Sequence, residues 1–205
     1  GKSPLISLIA RLYDLTDGAV KVDGCDVKDY PLQTLRGKIG LVPQKALLFL
    51  GTIRDNLLWG KENATDEELY EALRAAQALE VVEGKPKGLG DPVETGGRNF
   101  SGGQRQRLTI ARALVRRPEL LILDDSASAL DFATDAALRR ALRELSWHPA
   151  VVIISQRTAS IRFADEILVL DDGRLAGKGT HDELLETCEV YREIYESQFK
   201  KEDAR

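Results

Sequence analysis

The stretches Asn99–Gln106 (NFSGGQRQ) and Leu120–Asp125 (LLILDD) decide the fold of this chain. The first places Ser101 and two glycines at the start of an amphipathic helix over Gln104–Val115, where unpaired backbone amides favour an anion. The glycines let the backbone approach that anion closely, and the serine adds a hydroxyl donor. The second stretch is a buried strand that ends in two carboxylates, a common way to hold Mg²⁺ and a water beside a nucleotide. Together the two stretches predict phosphate chemistry.

The bulk composition limits the class of protein. At 205 residues, the chain has room for one domain with a subdomain. Its 29 basic and 33 acidic residues give a formal net charge of −4, so we expect no nucleic acid as a partner. Apolar runs such as Ala150–Ile154 fall short of the roughly 20 residues that a membrane helix needs. Because no apolar run reaches that length, we expect the fragment itself to be soluble. Cys25 and Cys188 form no metal or disulfide pattern, which fits a reducing cytosol.

Strands alternate with helices along the chain, which predicts an α/β sheet with a helical insertion. Val20–Val27 and Ile167–Ala176 each surround an Asp-Gly pair and predict hairpins. Leu120–Leu123 and Val151–Ile154 are continuous apolar runs, as expected of strands buried on both faces. Thr65–Glu68 has the pattern of a capping box. The fold class is therefore predicted from local patterns alone.

The chain opens on Gly1, Lys2 and Ser3, which match the end of a G-x-x-x-x-G-K-[ST] phosphate loop. In such a loop the lysine contacts the β- and γ-phosphates and the serine hydroxyl contacts Mg²⁺. The front of the loop is missing, so we expect a fragment of a longer polypeptide whose absent strand leaves an unpaired sheet edge. The alternative for these three residues is an ordinary helix start.

The motifs, in chain order, resemble those of the ATP-binding cassette (ABC) family. After the phosphate-loop tail come the positions of the family's Q-loop (Gln44), signature (Ser101–Gln104), Walker B strand (ending at Asp124), D-loop (Ser128–Asp131) and switch (Gln156). The resemblance implies a P-loop NTPase-type, mainly parallel sheet with an inserted helical subdomain. The implied core covers 1–50 and 116–205, and the helical signature subdomain covers 51–115.

The resemblance also implies ATP and Mg²⁺ as ligands and assigns a role to each motif residue. The implied catalytic residues are Asp125, Gln156 and Gln44; the nucleotide-binding residues are Gly1, Lys2, Ser3, Ser101, Gly102, Gly103, Gln104 and Asp131; the metal-binding residues are Ser3, Gln44 and Asp124. In the family the signature closes over ATP held by an opposing subunit, so that two cassettes sandwich two nucleotides.

Two of these residues depart from the family pattern. Asp125 stands where a glutamate normally acts as general base, and its side chain is shorter by one bond of about 1.5 Å. A misplacement near 1 Å in a catalytic group can cost on the order of 10²-fold in rate. Gln156 stands where the family has its switch histidine; it can hydrogen-bond the γ-phosphate region but cannot become cationic. This pairing resembles the degenerate-site subunit of bacterial heterodimeric multidrug-type exporters, which keeps an intact signature.

The resemblance thus implies an exporter ATPase with weak activity of its own, a second cassette subunit as partner and a membrane-spanning domain upstream in the same polypeptide. The implied location is the cytoplasmic face of the plasma (inner) membrane. The short acidic loop around Glu94 is expected to contact the membrane domain, and Trp59 is expected in the core or at an interface.

Three alternatives remain. One is a catalytically silent, ATP-gated dimerisation module, and another is a homodimeric exporter in which Asp125 still serves as base. The third is a soluble ABC ATPase of the DNA-repair or translation type, which the short span from Gln44 to Ser101 and the acidic balance disfavour.

Overall fold

Strands and helices alternate along the chain, as the sequence predicts. The structure is a computed structural model that describes residues 2–202, with side chains for residues 4–198. The strands are β1 (Lys21–Val22), β2 (Cys25–Asp26), β3 (Ile39–Val42), β4 (Gly51–Thr52), β5 (Pro92–Val93), β6 (Leu120–Asp124), β7 (Ala150–Ile154), β8 (Ile167–Asp171) and β9 (Arg174–Gly179). The helices are α1 (Lys2–Ile9), α2 (Leu32–Lys38), α3 (Ile53–Leu58), α4 (Asp66–Ala75), α5 (Leu79–Glu83), α6 (Gly102–Leu114), α7 (Phe132–Arg143), α8 (Thr158–Ile161), α9 (His181–Thr187) and α10 (Glu189–Glu202).

A parallel three-stranded sheet in the order β3-β6-β7 forms the centre of the fold. The middle strand pairs Leu121 with Gly40 on one side and with Val151 on the other. Leu121 and Ile122 are fully buried, because helices and loops cover both faces of this strand. The predicted α/β class with a parallel sheet is confirmed.

The burial of β7 differs from the prediction. Ala150 and Val151 are exposed, the latter by 37%, and the rest of the strand is only half-buried. Within residues 2–202 no strand pairs with the edge of β7 that faces away from β6. The apolar run predicts the strand correctly, but it contains no information on which face is covered.

Helix α6 organises the helical segment that follows β3. It packs against α3, α4 and β3, and its residues Ile110 and Ala111 are fully buried. The chain passes so close to it at Gly60 that an added Cβ would lie 2.1 Å from the carbonyl oxygen of Arg112. The capping box predicted at Thr65 is confirmed, and similar boxes begin α3, α6 and α9. Among residues 2–202, no helix combines the length and apolarity needed to cross a bilayer.

Two hairpins and a C-terminal layer complete the fold. Both predicted Asp-Gly hairpins are confirmed as β1–β2 and β8–β9. Asp172 and Gly173 have φ of 43° and 79°, the left-handed pair that a tight hairpin turn requires. Helices α9 and α10 pack on the β8–β9 hairpin, with Tyr191 buried among Ile167, Val169 and Leu184.

Candidate functional site

Polar residues gather where the three parallel strands end. Gln44 follows β3, Asp124 and Asp125 end β6, and Gln156 follows β7. Since the strands are parallel, these residues meet at one edge of the sheet, which is where α/β proteins bind ligands. The sheet therefore places together four of the residues predicted to act on the nucleotide.

The glutamine after β3 contacts the last carboxylate of β6. Gln44 Nε2 donates to Asp125 Oδ2 over 3.3 Å, although the two residues lie 81 positions apart in the chain. Asp125 has φ of 46° and ψ of 27°, a left-handed conformation that costs a non-glycine residue energy and is more frequent at functional sites. Its N–H donates to Ile154 O over 2.8 Å and continues the ladder to β7. The backbone of Asp125 is thus fixed by the sheet, and its carboxylate by Gln44.

Asp124 is 92% buried, with 8% of its surface exposed. Among the described residues, no side chain forms a hydrogen bond or an ion pair with its carboxylate. Within the same part of the chain, no three His, Cys, Asp or Glu residues converge into a metal site. Mg²⁺ fits such an arrangement, because it binds through one or two carboxylates and completes its shell with water and substrate phosphates. Asp124 and the amide oxygen of Gln44 are two hard oxygen ligands at this edge, beside the Asp125 carboxylate that Gln44 contacts.

The turn after β6 and the loop after β7 are tied to each other. Ser128 donates to Asp125 O from its N–H over 3.2 Å and from its Oγ over 2.7 Å. Arg157 Nη2 donates across to Ser128 O over 3.3 Å. Gln156 is exposed, and its side-chain amide forms no hydrogen bond to any described residue. The side chain predicted to face the γ-phosphate is therefore free to do so, while its neighbours are anchored.

Ser101 caps α6 through a complete capping box. Its Oγ accepts from Gln104 N over 3.2 Å, and its N–H donates to Gln104 Oε1 over 2.9 Å. The hydroxyl proton is not used in this box, so it can still be donated to an anion. Gly102 is exposed, and a Cβ on Gly103 would lie 3.3 Å from Ala129 O in the turn after β6. The start of α6 thus lies against the turn that follows Asp125, but it has no hydrogen bond to Gln44 or Asp125.

Asp131 uses its carboxylate within its own helix. It caps α7, and Thr134 donates to Oδ1 from its N–H and to Oδ2 from its Oγ1, each over 2.8 Å. These two bonds hold the pKa of Asp131 below its ordinary value. Asp131 is therefore an ionised N-cap whose two carboxylate oxygens are both bonded within α7.

The phosphate-loop tail lies at the margin of the described part. Lys2 and Ser3 begin α1, but their side chains lie outside the described residues, as does Gly1 altogether. Pro4 occupies the first turn of α1, where a missing N–H is tolerated. The geometry of this part of the phosphate site stays a prediction.

An apolar patch is formed by Leu47, Phe49 and Leu50, which lie between β3 and β4, and by Trp59, which follows α3. These side chains are exposed by 45%, 38%, 75% and 67%. The rings of Phe49 and Trp59 stack with their centroids 4.6 Å apart. The predicted place of Trp59 in the core is therefore wrong, and its predicted place at an interface stays a prediction.

Arg112 lies under the apolar patch, 5.3 Å from the centroid of the Phe49 ring. Burial lowers the pKa of its guanidinium. Its Nη2 donates to Leu47 O over 3.0 Å, while Nη1 has no partner among the described residues. The patch thus combines exposed aromatic surface with one cation that is incompletely paired.

Sequence reasoning missed several polar contacts in and around the site. The bond from Arg157 to Ser128 was missed because an arginine after a strand has no distinguishing pattern. The capping box of α3, between Thr52 and Asp55, was missed because its third residue is Asp rather than Glu or Gln. The S-x-x-Q pattern at Ser101 would have predicted the box at α6.

Comparisons with known proteins agree with this geometry. The sequence model of the family described as "ABC transporter" matches residues 1–128. The uncharacterized ABC transporter ATP-binding protein YfiB of Bacillus subtilis is 48% identical over 202 residues, covering 98% of this chain and 35% of YfiB. The ATP-dependent lipid A-core flippase of Chromobacterium violaceum is 43% identical over 204 residues, covering 100% of this chain and 35% of the flippase.

A solved structure described as a bacterial Atm1-family ABC exporter with ATP bound superposes with a TM-score of 0.92 at 36% identity. The match covers 97% of this chain and 35% of the exporter. The chain thus spans about a third of the length of these relatives. The ordered motifs, the shared sheet edge and these similarities together identify the chain as an ABC nucleotide-binding domain, a member of the ABC transporter family.

Proposed function

We propose that this domain binds MgATP and drives an exporter, that its own ATP site hydrolyses weakly, and that the start of α6 completes the active site of a partner domain. One observation supports this most: Asp125 and Gln156 follow the adjacent parallel strands β6 and β7 at the same sheet edge, whereas the Ser101 cap is complete and exposed. A domain selected for hydrolysis at its own site would be expected to keep a longer carboxylate and an imidazole at these two positions.

At its own site the domain would hold one nucleotide. Lys2 and Ser3 would contact the phosphates and the metal, with Asp124 and Gln44 completing the metal shell. Mg²⁺, when bound, would neutralise charge between the phosphate oxygens. The bond from Gln44 to Asp125 would orient the carboxylate, but the short side chain leaves it farther from an attacking water. ATP would therefore stay bound for long periods and act as a clamp.

For the partner's site, the domain would supply the N-terminus of α6. This helix has 13 residues, and the first N–H groups of a helix carry the positive end of its dipole. The free hydroxyl proton of Ser101 and the N–H groups at Gly102 and Gly103 would bind the γ-phosphate of a nucleotide held by the opposing domain. Because ATP would bind the closed pair better than the open one, it would shift the equilibrium toward closure.

The apolar patch would face a membrane domain in the same polypeptide, since the chain spans about a third of its exporter relatives. Gly51 of β4 pairs with Val93 of β5. The patch residue Leu50, which precedes β4, and the acidic Glu94, which follows β5, therefore lie at the same end of this strand pair. Exposed apolar surface with an adjoining charged rim is typical of protein interfaces. An acidic side chain of the membrane domain would pair with Arg112 Nη1, which has no partner among the described residues. This arrangement would place the domain at the cytoplasmic face of the membrane.

We retain the predicted division into a core of 1–50 and 116–205 and a helical subdomain of 51–115. The heterodimer is favoured over a homodimer by Asp125 and Gln156, and over a silent module by the complete Ser101 box. A homodimer that relies on Asp125 as base is the second candidate, because the bond from Gln44 holds that carboxylate in place.

The test is steady-state ATP hydrolysis by the complete polypeptide that carries this chain, first alone and then with its partner subunit. We expect slow turnover alone, a sharp rise with the partner, and loss of that rise on Ser101→Ala. Fast turnover alone that disappears on Asp125→Asn would instead support the homodimer with Asp125 as a competent base.

A further inference from the structure

The loop after β7 depends on a distant side chain for its conformation. This loop, the switch segment Ser155–Thr158, leads into α8, a helix of only four residues. The N-cap of α8 is Arg157, which makes no side-chain capping bond. The first N–H groups of such a short helix therefore need an acceptor from elsewhere in the fold.

Gln198 of α10 supplies that acceptor. Its Oε1 accepts from Thr158 N and from Thr158 Oγ1, each over 2.9 Å. Its Nε2 donates to Gln156 O over 2.6 Å. Thr158 is 2% exposed, so its two donors have no water to replace the glutamine. A single amide thus binds both ends of the turn that presents the Gln156 side chain.

The position of Gln198 is fixed by packing of α10 rather than by a loop. Tyr191, seven residues earlier and therefore on the same helix face, is 2% exposed and packs with the buried side chains of the β8–β9 hairpin and α9. Its hydroxyl is bonded to His181 Nδ1 at 2.8 Å. The switch segment is held at its other side by Arg157, which donates to Ser128 O beside Asp125. Hydrogen bonds therefore run from α10 through the switch segment to the turn after β6.

We propose that Gln198 is a positioning residue for the nucleotide site: it fixes the backbone of Gln156 and Thr158 so that the Gln156 amide faces the γ-phosphate. The inference rests on the proposed function, since it assumes that ATP binds at this sheet edge. Its consequence is that ATP, which has the γ-phosphate, depends on Gln198, whereas ADP does not. A purely structural role would weaken the binding of both nucleotides or of neither.

The experiment compares Gln198→Met with Glu196→Ala in the complete polypeptide. Methionine keeps the length of the side chain without its hydrogen bonds, and Glu196 is exposed on the same helix with no bond to the switch segment. Gln198→Glu serves as a second variant, because it keeps the acceptor toward Thr158 and turns an oxygen toward Gln156 O. The readouts are amide hydrogen exchange across 156–161 and the ratio of Kd values for MgATP and MgADP.

For Gln198→Met we expect faster exchange at Thr158 and a loss of ATP affinity on the order of 10-fold, as for one hydrogen bond to a charged group, with ADP affinity unchanged. Gln198→Glu should lose ATP affinity while Thr158 stays protected, and Glu196→Ala should match wild type. Unchanged exchange, or equal losses for ATP and ADP, would overturn the inference. Failure of the wild-type protein to bind MgATP would contradict the proposed function instead, and exchange at Thr158 alone would then decide whether Gln198 holds the segment.

Discussion

Replacing Ser101 separates its two roles, because it caps α6 and it offers a hydroxyl proton to phosphate. Ser101→Ala removes the acceptor for Gln104 N, which should cost about 1 kcal/mol of stability. For a chain of this size that loss lowers Tm by about 2–4 °C. Removal of a hydrogen bond to a charged phosphate costs a further 1.5–3 kcal/mol or so, but only when nucleotide is clamped. The clamped state should therefore weaken by about 10- to 150-fold.

Thr65→Ala is the matched control, because Thr65 caps α4 through the same kind of box and lies far from the strand ends in sequence. We expect it to lose about as much Tm as Ser101→Ala and to leave ATP-driven association unchanged. Ser101→Asp gives the opposite combination. Aspartate is a good N-cap, so Tm should be retained, whereas its carboxylate would repel a phosphate at that position.

Sedimentation velocity measures the association of the complete polypeptide with its partner in MgATP. In a separate measurement, Tm is determined without nucleotide. Equal loss of association in Ser101→Ala and Thr65→Ala would mean that helix stability, not the hydroxyl, governs the clamp. Normal association of Ser101→Asp would refute the phosphate contact directly.

Three further predictions follow from other contacts. Gln44→Ala removes the bond to Asp125, and the rate of ATP turnover at saturating MgATP should fall on the order of 10-fold. Lys45→Ala, at the neighbouring exposed position, should leave this rate unchanged. Gly60→Ala places a methyl 2.1 Å from Arg112 O, so the backbone must move. The free energy of unfolding, measured in urea, should fall by about 1–3 kcal/mol. An unchanged value would mean that Gly60 and Arg112 do not approach each other this closely in solution. Because Thr134 holds the pKa of Asp131 below its ordinary value, the stability from this cap should be complete above about pH 4 and should be lost as the pH falls through the lowered folded-state pKa. Asp131→Asn should flatten this acid dependence of Tm, and an unaltered acid slope would contradict the assignment.

The sequence predicts those parts of the fold that depend on local chemistry. The hairpins at Asp23 and Asp172 follow from the Asp-Gly turns, and the box at Thr65 from its T-x-x-E spacing. The α/β class follows from the alternation of apolar runs with helical patterns. Each turn, cap and apolar run lies within about ten neighbouring residues, which is why a single sequence contains these signals.

Features that depend on long-range contacts could not be predicted from patterns. The bond between Gln44 and Asp125 joins residues 81 positions apart, and only the parallel register of β3 and β6 brings them together. Gln198 lies in a charged tail whose sequence gives no sign of its partners, about 40 positions earlier at Gln156 and Thr158. The exposure of β7 was missed for a related reason, since an apolar run does not specify what covers it.

We propose that Asp125 and Gln156 weaken the ATP site on this domain. The most direct measurement is steady-state ATP hydrolysis by the complete polypeptide alone, compared with the double variant Asp125→Glu, Gln156→His. A glutamate extends the carboxylate by about 1.5 Å, and we expect a gain on the order of 10²-fold over a slow wild type. A fast wild type that the double variant does not improve, and that Asp125→Asn abolishes, would contradict the claim.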